Sequence, residues 1–157
     1  MIGRMEPYVC EGVLGAWRSF LTAHARLVEA VDHRLAEAGC VCLGTCDVLL
    51  ALRDAPDHRR RMHELADHVV LSRSGLTRLV DRLEAEGLLR RERCPNDRRG
   101  AYAALTDAGE QALATAWPVY ASSVAELFGG ALTEDDAARL TAALDRAVAS
   151  AVAERSA

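Results

Sequence analysis

The stretch that most constrains this chain runs from Met62 to Gly87. Met62-His63-Glu64-Leu65-Ala66-Asp67-His68-Val69 has the pattern of a short helix, and Val70-Leu71-Ser72 leaves room only for a tight connection. From Ser72 or Arg73 onward, Leu76, Leu79, Val80 and Leu83 fall at i, i+3, i+4 and i+7. That spacing puts them on one helical face. Gly87 supplies the stop. Two short helices joined by about three residues, the second strongly amphipathic, form a helix-turn-helix pattern. Residues 88–94 then alternate loosely, Pro95-Asn96-Asp97 makes a turn, and residues 101–105 return as a strand. A hairpin placed there is a wing.

The flanks read as long helices. Over residues 8–38, Val13, Trp17, Phe20, Leu21, Leu27, Val28, Val31 and Leu35 recur at helical spacing, and Gly39 ends the run. A second helix is predicted from Thr45 as N-cap through Val48, Leu49, Leu50 and Leu52 to the break at Asp54-Ala55-Pro56-Asp57. Thr106 caps a helix that Gly129-Gly130 breaks, and Thr133-Glu134-Asp135-Asp136 opens the last one. The expected fold is mainly α with a small β-hairpin, one unit over residues 1–157. Its winged helix-turn-helix spans 45–105, with a recognition helix about 73–86 and a wing about 88–105. Terminal helices at 8–38 and 107–155 flank it. Their apolar stripes have no home on a compact winged helix, so they are expected to pack together, in a dimer across a two-fold axis.

Half of the 157 residues are hydrophobic and 27% are charged, which is globular composition rather than the signature of disorder. No apolar run approaches the ~18 residues of a membrane span, so no membrane partner is expected. Residues 1–7 lack the charged-then-apolar order of a secretory signal, which predicts a cytoplasmic chain. All 19 basic residues are arginine, the side chain suited to bidentate contact with phosphate or guanine. The net charge of −4 argues against a nucleic-acid partner only as an average. Residues 53–99 carry 12 arginines against 9 acids, a local +3, while the remainder carries 7 against 14, a local −7. Basic charge gathered on the helix-turn-helix and hairpin is the footprint of a face that meets phosphate.

Opposite its apolar face, the second helix of the motif presents Ser74, Thr77, Arg78 and Asp81, with Ser72, Arg73 and Arg82 beside them. Short hydroxyls let a helix sit close in a major groove, and arginine can read guanine O6 and N7. The hairpin tip holds Asp97, Arg98 and Arg99. An arginine there suits the negative potential of a minor groove, and an adjacent carboxylate can fix its rotamer. A plain solvated helix face and a solvated turn would look alike in sequence.

The run Met62-x-Glu64-Leu65-Ala66, then Leu71-Ser72-Arg73-Ser74-Gly75-Leu76-Thr77-Arg78-Leu79-Val80-Asp81-Arg82-Leu83-Glu84-x-Glu86-Gly87-Leu88-Leu89-x-Arg91, resembles the MarR family of bacterial transcriptional regulators. The family's Asp-x-Arg wing signature and following Leu-Thr match Asp97-Arg98-Arg99 and Leu105-Thr106. The resemblance implies a homodimer, joined through its terminal helices, on a pseudo-palindromic double-stranded DNA operator. It implies that Asp97 orients the wing, that Arg99 enters the minor groove, and that residues 72–82 hold the base and phosphate contacts. The expected function is sequence-specific transcriptional regulation, a repressor released by a small aromatic or anionic effector, with no cofactor and no enzymatic activity. A winged-helix protein-interaction module without DNA binding is the reading from another class.

Members of such a family respond to small anionic aromatics, to thiol oxidation or to metals, and candidates for each are present. Trp17, Arg18, His24 and Arg53 could line an effector pocket, arginine pairing a carboxylate; alternatively Trp17 is core at the dimer junction and Arg18 faces solvent. Cys40, Cys42 and Cys46 lie at the entry to the second helix. They fit a redox pair with a thiolate at a helix N-terminus, a zinc site completed by His33 or by the other subunit, or simply small buried residues. His58, His63 and His68 recur every five residues and share no helical face.

Overall fold

Apolar residues at helical spacing build most of the molecule, and the caps between them set where each helix begins. The computed structural model describes residues 10–154 except 70, 95 and 96; the side chains at 94, 97–99 and 154 also lie outside the described set. In chain order come α1 (Glu11–Glu37), α2 (Leu43–Arg53), β1 (Arg59–Arg61), α3 (Met62–His68), α4 (Arg73–Ala85), β2 (Leu89–Cys94), β3 (Asp97–Leu105), α5 (Asp107–Leu127) and α6 (Glu134–Glu154). The strands form one antiparallel sheet in the order β1-β3-β2. This is a winged helix-turn-helix with long helices before and after it.

The chain divides into two compact units, Met1–Tyr120 and Ala121–Ala157. The core of the first is built from Val31 and Leu35 of α1, Val48, Leu49 and Leu52 of α2, Leu65 of α3, and Leu76, Val80 and Leu83 of α4. Leu89 and Ala103 close it from the sheet, and Leu113 and Ala116 from α5. Burying each leucine contributes about 1.5–3 kcal/mol of transfer free energy, which is what presses the helix-turn-helix onto the sheet. In the second unit, Thr133 Oγ1 accepts from the Asp136 N–H at 3.2 Å while the Asp136 carboxylate accepts from Thr133. That reciprocal pair is the capping arrangement predicted for the last helix. No described helix is long and apolar enough to cross a membrane.

Two local features differ from the sequence reading, each for a long-range reason. Helix α2 begins at Leu43 rather than at Thr45, because the Asp32 carboxylate of α1 accepts the Leu43 N–H at 2.7 Å. Thr45 is consequently a buried residue inside the first turn. The second difference is β1, which makes the sheet three-stranded. Three consecutive arginines carry no strand signal of their own; they pair Arg59 with Ala104, Arg60 with Ala103 and Arg61 with Tyr102 along the free edge of β3. The turn before them places Asp57 and His58 at φ 54° and 52°, and the His58 imidazole sits 2.8 Å from the Arg53 carbonyl at the end of α2.

Candidate nucleic-acid interface

Ser72 is the N-cap of α4, its Oγ accepting from the Gly75 N–H at 3.1 Å. Arg73 and Ser74 of that first turn are exposed, and a helix N-terminus attracts phosphate. With Leu76, Val80 and Leu83 buried, the opposite face presents Ser74, Thr77, Arg78 and Asp81, all exposed. The Thr77 hydroxyl donates to the Arg73 carbonyl at 2.9 Å. Outward it therefore offers only a methyl group and acceptor lone pairs, which suit a thymine methyl or a base amino group. At the far end Gly87, at φ +75°, terminates the helix, and the Leu88 N–H closes back onto the Leu83 carbonyl at 2.9 Å.

The hairpin is anchored at its base. Thr106 Oγ1 donates to the Gly87 carbonyl at 2.7 Å and accepts from the Gly109 N–H at 3.1 Å, so one hydroxyl joins the end of α4 to the start of α5. A Cβ at Gly109 would collide with the Leu88 carbonyl; only glycine permits that approach. Asp97, Arg98 and Arg99 occupy the start of β3, and their side chains are outside the described set.

The arginines of this region fall into two groups. Arg73 and Arg78 on α4, and Arg93 on β2, are exposed and make no ion pair among the described residues. The others are engaged. Arg59 pairs with Glu92 at 3.1 Å and Asp57 at 3.4 Å and lies 5.2 Å above the Tyr102 ring. Arg61 stacks on the same ring at 5.6 Å. Arg60 donates to the Ala51 carbonyl at 2.7 Å, and Arg90 pairs with Glu92 at 2.8 Å. Hydrogen bonds from Arg59, then Arg90, hold the Glu92 carboxyl below the usual glutamate range. Arg82 leans off the outward face of α4, 3.8 Å from Glu86 and 3.7 Å from the Cys42 sulfur. Arg93 went unnoticed in the sequence; its only signal was its place on the strand leading to the hairpin tip.

The residues considered for an effector pocket lie on α1 and at the end of α2. Trp17, Arg18 and His24 are exposed along α1, with the Phe20 ring in tilted contact with both Trp17 and His24. Arg53 instead lies 5.4 Å over Trp117 of α5, which stacks on Tyr120. The three thiols take different partners. Cys40 donates toward the Ala38 and Thr115 carbonyls, Cys42 contacts Thr45 Oγ1 at 3.3 Å, and Cys46 donates toward the Val41 carbonyl. Burial pushes the Cys46 thiol up to about 11, so it is no nucleophile near neutrality. Cys40 and Cys42 line an open cavity of about 440 Å³ with Glu29, Asp32, His33 and Ala36. Among the described residues no group of three or more His, Cys, Asp or Glu side chains is arranged to hold a metal ion.

A family model described as the MarR family matches residues 44–100, the helix-turn-helix and the start of the wing. The transcriptional regulator YkoM of Bacillus subtilis is 33% identical over 88 residues, 56% of each chain; this chain thus spans little more than half the length of that relative. The crystal structure of Sco3205, a MarR family transcriptional regulator from Streptomyces coelicolor in complex with DNA, is 32% identical. It superposes with a TM-score of 0.81, covering 92% of this chain and 90% of its own. The chain belongs to the MarR family. AbsC, a MarR family regulator of the same organism, superposes with a TM-score of 0.83 at 28% identity, over 94% of this chain and 99% of its own. Both of these structural relatives are transcriptional regulators. This chain's match to the family model ends at residue 100, whereas the structural likeness extends over nearly the whole chain.

Proposed function

We propose that this protein is a homodimeric, sequence-specific DNA-binding regulator that represses from a pseudo-palindromic operator and is released by a small aromatic or anionic effector. The observation that carries the reading is the outward face of α4. Ser74, Thr77 and Arg78 are exposed on one helical face, Arg78 and neighbouring Arg73 without carboxylate partners among the described residues. Positive side chains left unpaired on a capped amphipathic helix suit phosphate and guanine. The DNA complex of Sco3205 supports the same reading. In this proposal Ser72, Arg73, Ser74, Thr77 and Arg78 contact the major groove and its phosphates, with Arg82 at the border of that surface. Asp97, Arg98 and Arg99 serve the minor groove. The homodimer is supported by exposed apolar residues at the two ends of the chain, Val13, Trp17, Phe20 and Leu21 on α1 and Val148 and Val152 on α6.

The test is selection of duplexes from a random-sequence library, followed by titration of the selected duplex at two salt concentrations. A DNA-binding regulator enriches a palindromic sequence and loses affinity steeply with salt, about 0.9 in log–log slope for each phosphate neutralised. No enrichment and a flat salt response would leave the protein-interaction module instead.

The contact of Arg82 with Cys42 favours a second reading, in which thiol modification is the release signal. Cys42 is exposed at the N-cap of α2 and holds a side chain that belongs to the recognition helix. Alkylation with iodoacetamide should then weaken DNA binding by the parent chain and leave Cys42→Ser unaffected. Equal affinity before and after alkylation of Cys42 sinks this second reading.

A further inference from the structure

Arg91 stands in the middle of β2, paired across the sheet with buried Ala103. Its side chain runs to α4. Nη2 lies 2.6 Å from the Asp81 carboxylate and Nη1 2.7 Å from that of Glu84, while the Arg91 backbone N–H donates to the other Glu84 oxygen at 3.0 Å. Glu84 therefore grips both the main chain and the side chain of one residue, and those hydrogen bonds draw its carboxyl below the ordinary range. These ion pairs join α4 to the sheet. A planar guanidinium held by carboxylates on two successive turns of a helix fixes an angle as well as a distance.

That angle matters because of leverage. From Arg91 to the end of β2 at Cys94 the strand runs about 10 Å, so a tilt of about 5° at Arg91 moves that end by about 1 Å. A recognition group must be held to about 0.5 Å to keep its contacts. Asp81 also shares the outward face of α4 with Ser74 and Arg78, where an unpaired carboxylate would repel phosphate. Arg91 neutralises it without using the arginines that face outward.

We propose that Arg91 is a positioning residue: through Asp81 and Glu84 it sets the pitch of the wing against the recognition helix, so that both reach one duplex in register. The inference rests on the DNA-binding reading above. The test uses the full chain and the duplex that the parent protein selects from a random library, read by affinity and by hydroxyl-radical footprint. Arg91→Ala should bind about ten-fold more weakly, losing protection on the wing side while protection under α4 persists. Adding Arg99→Ala to Arg91→Ala should then cost less than about two-fold more, because the wing is already out of place. Arg91→Lys keeps the charge and the aliphatic stem but lacks the fork; it should show the same wing-side loss in smaller measure, even if the alanine variant fails to fold. Intact wing-side protection in Arg91→Lys, or effects of Arg91 and Arg99 that multiply independently, would overturn the inference. A parent chain that selects no duplex would remove the DNA-binding reading, and the role of Arg91 with it.

Discussion

The outward face of α4 and the outer face of the three-stranded sheet are both rich in arginine, yet they are different surfaces. On the sheet, Arg59, Arg61 and Arg90 surround Tyr102 and Glu92, each tied to a carboxylate or stacked on the ring. On α4, Arg73 and Arg78 have no such partner among the described residues. A guanidinium already neutralised by a neighbouring carboxylate has less to gain from phosphate, since that pairing must be broken or shared first. The +3 of residues 53–99 thus overstates some arginines and understates others. What distinguishes a nucleic-acid surface here is availability.

The sharpest way to break this contrast is at Arg78. Arg78→Ala should cost about 1–3 kcal/mol in affinity for the selected duplex and relax the base preference at one position in each half-site. Fluorescence anisotropy against single-base variants of that duplex measures both. Arg93→Ala comes next. As a phosphate contact on the approach to the wing it should weaken binding uniformly across sequences and lower the salt slope by about 0.9, which a salt titration reads directly. Arg59→Ala should leave DNA affinity within about two-fold, because its guanidinium serves the sheet; a filter-binding titration of the selected duplex checks it.

Much of this division was hidden in the sequence, for a physical reason. The helix-turn-helix was legible because Leu76, Val80 and Leu83 are local in sequence and buried on one face, and Thr106 and Thr133 cap the helices that follow them directly. The start of α2 was not legible, since its first amide is satisfied by Asp32 from another helix. Neither was β1, which exists because β3 offers it an edge. The same holds for the arginines. Arg59 meets Glu92 across thirty-three positions of chain, a pairing no local pattern announces, whereas Ser74, Thr77, Arg78 and Asp81 were visible as one helical face.

The smallest expected effect concerns acid. Hydrogen bonds from Arg59 and Arg90 lower the Glu92 carboxyl in the folded chain. Its contribution is therefore present above the ordinary glutamate range and is lost as pH falls through the lowered value. Urea unfolding across the acid limb should show a slightly shallower decline for Glu92→Gln than for the parent. An identical decline would mean that the sheet arginines are less committed than their geometry indicates.

The most direct measurement compares two double variants on one selected duplex. Arg73→Ala/Arg78→Ala removes the available pair, and Arg59→Ala/Arg90→Ala removes an equal charge from the sheet. The account predicts that the first loses at least about 100-fold in affinity while the second stays within about three-fold of the parent. Equal losses, or a larger loss from the sheet pair, would contradict it.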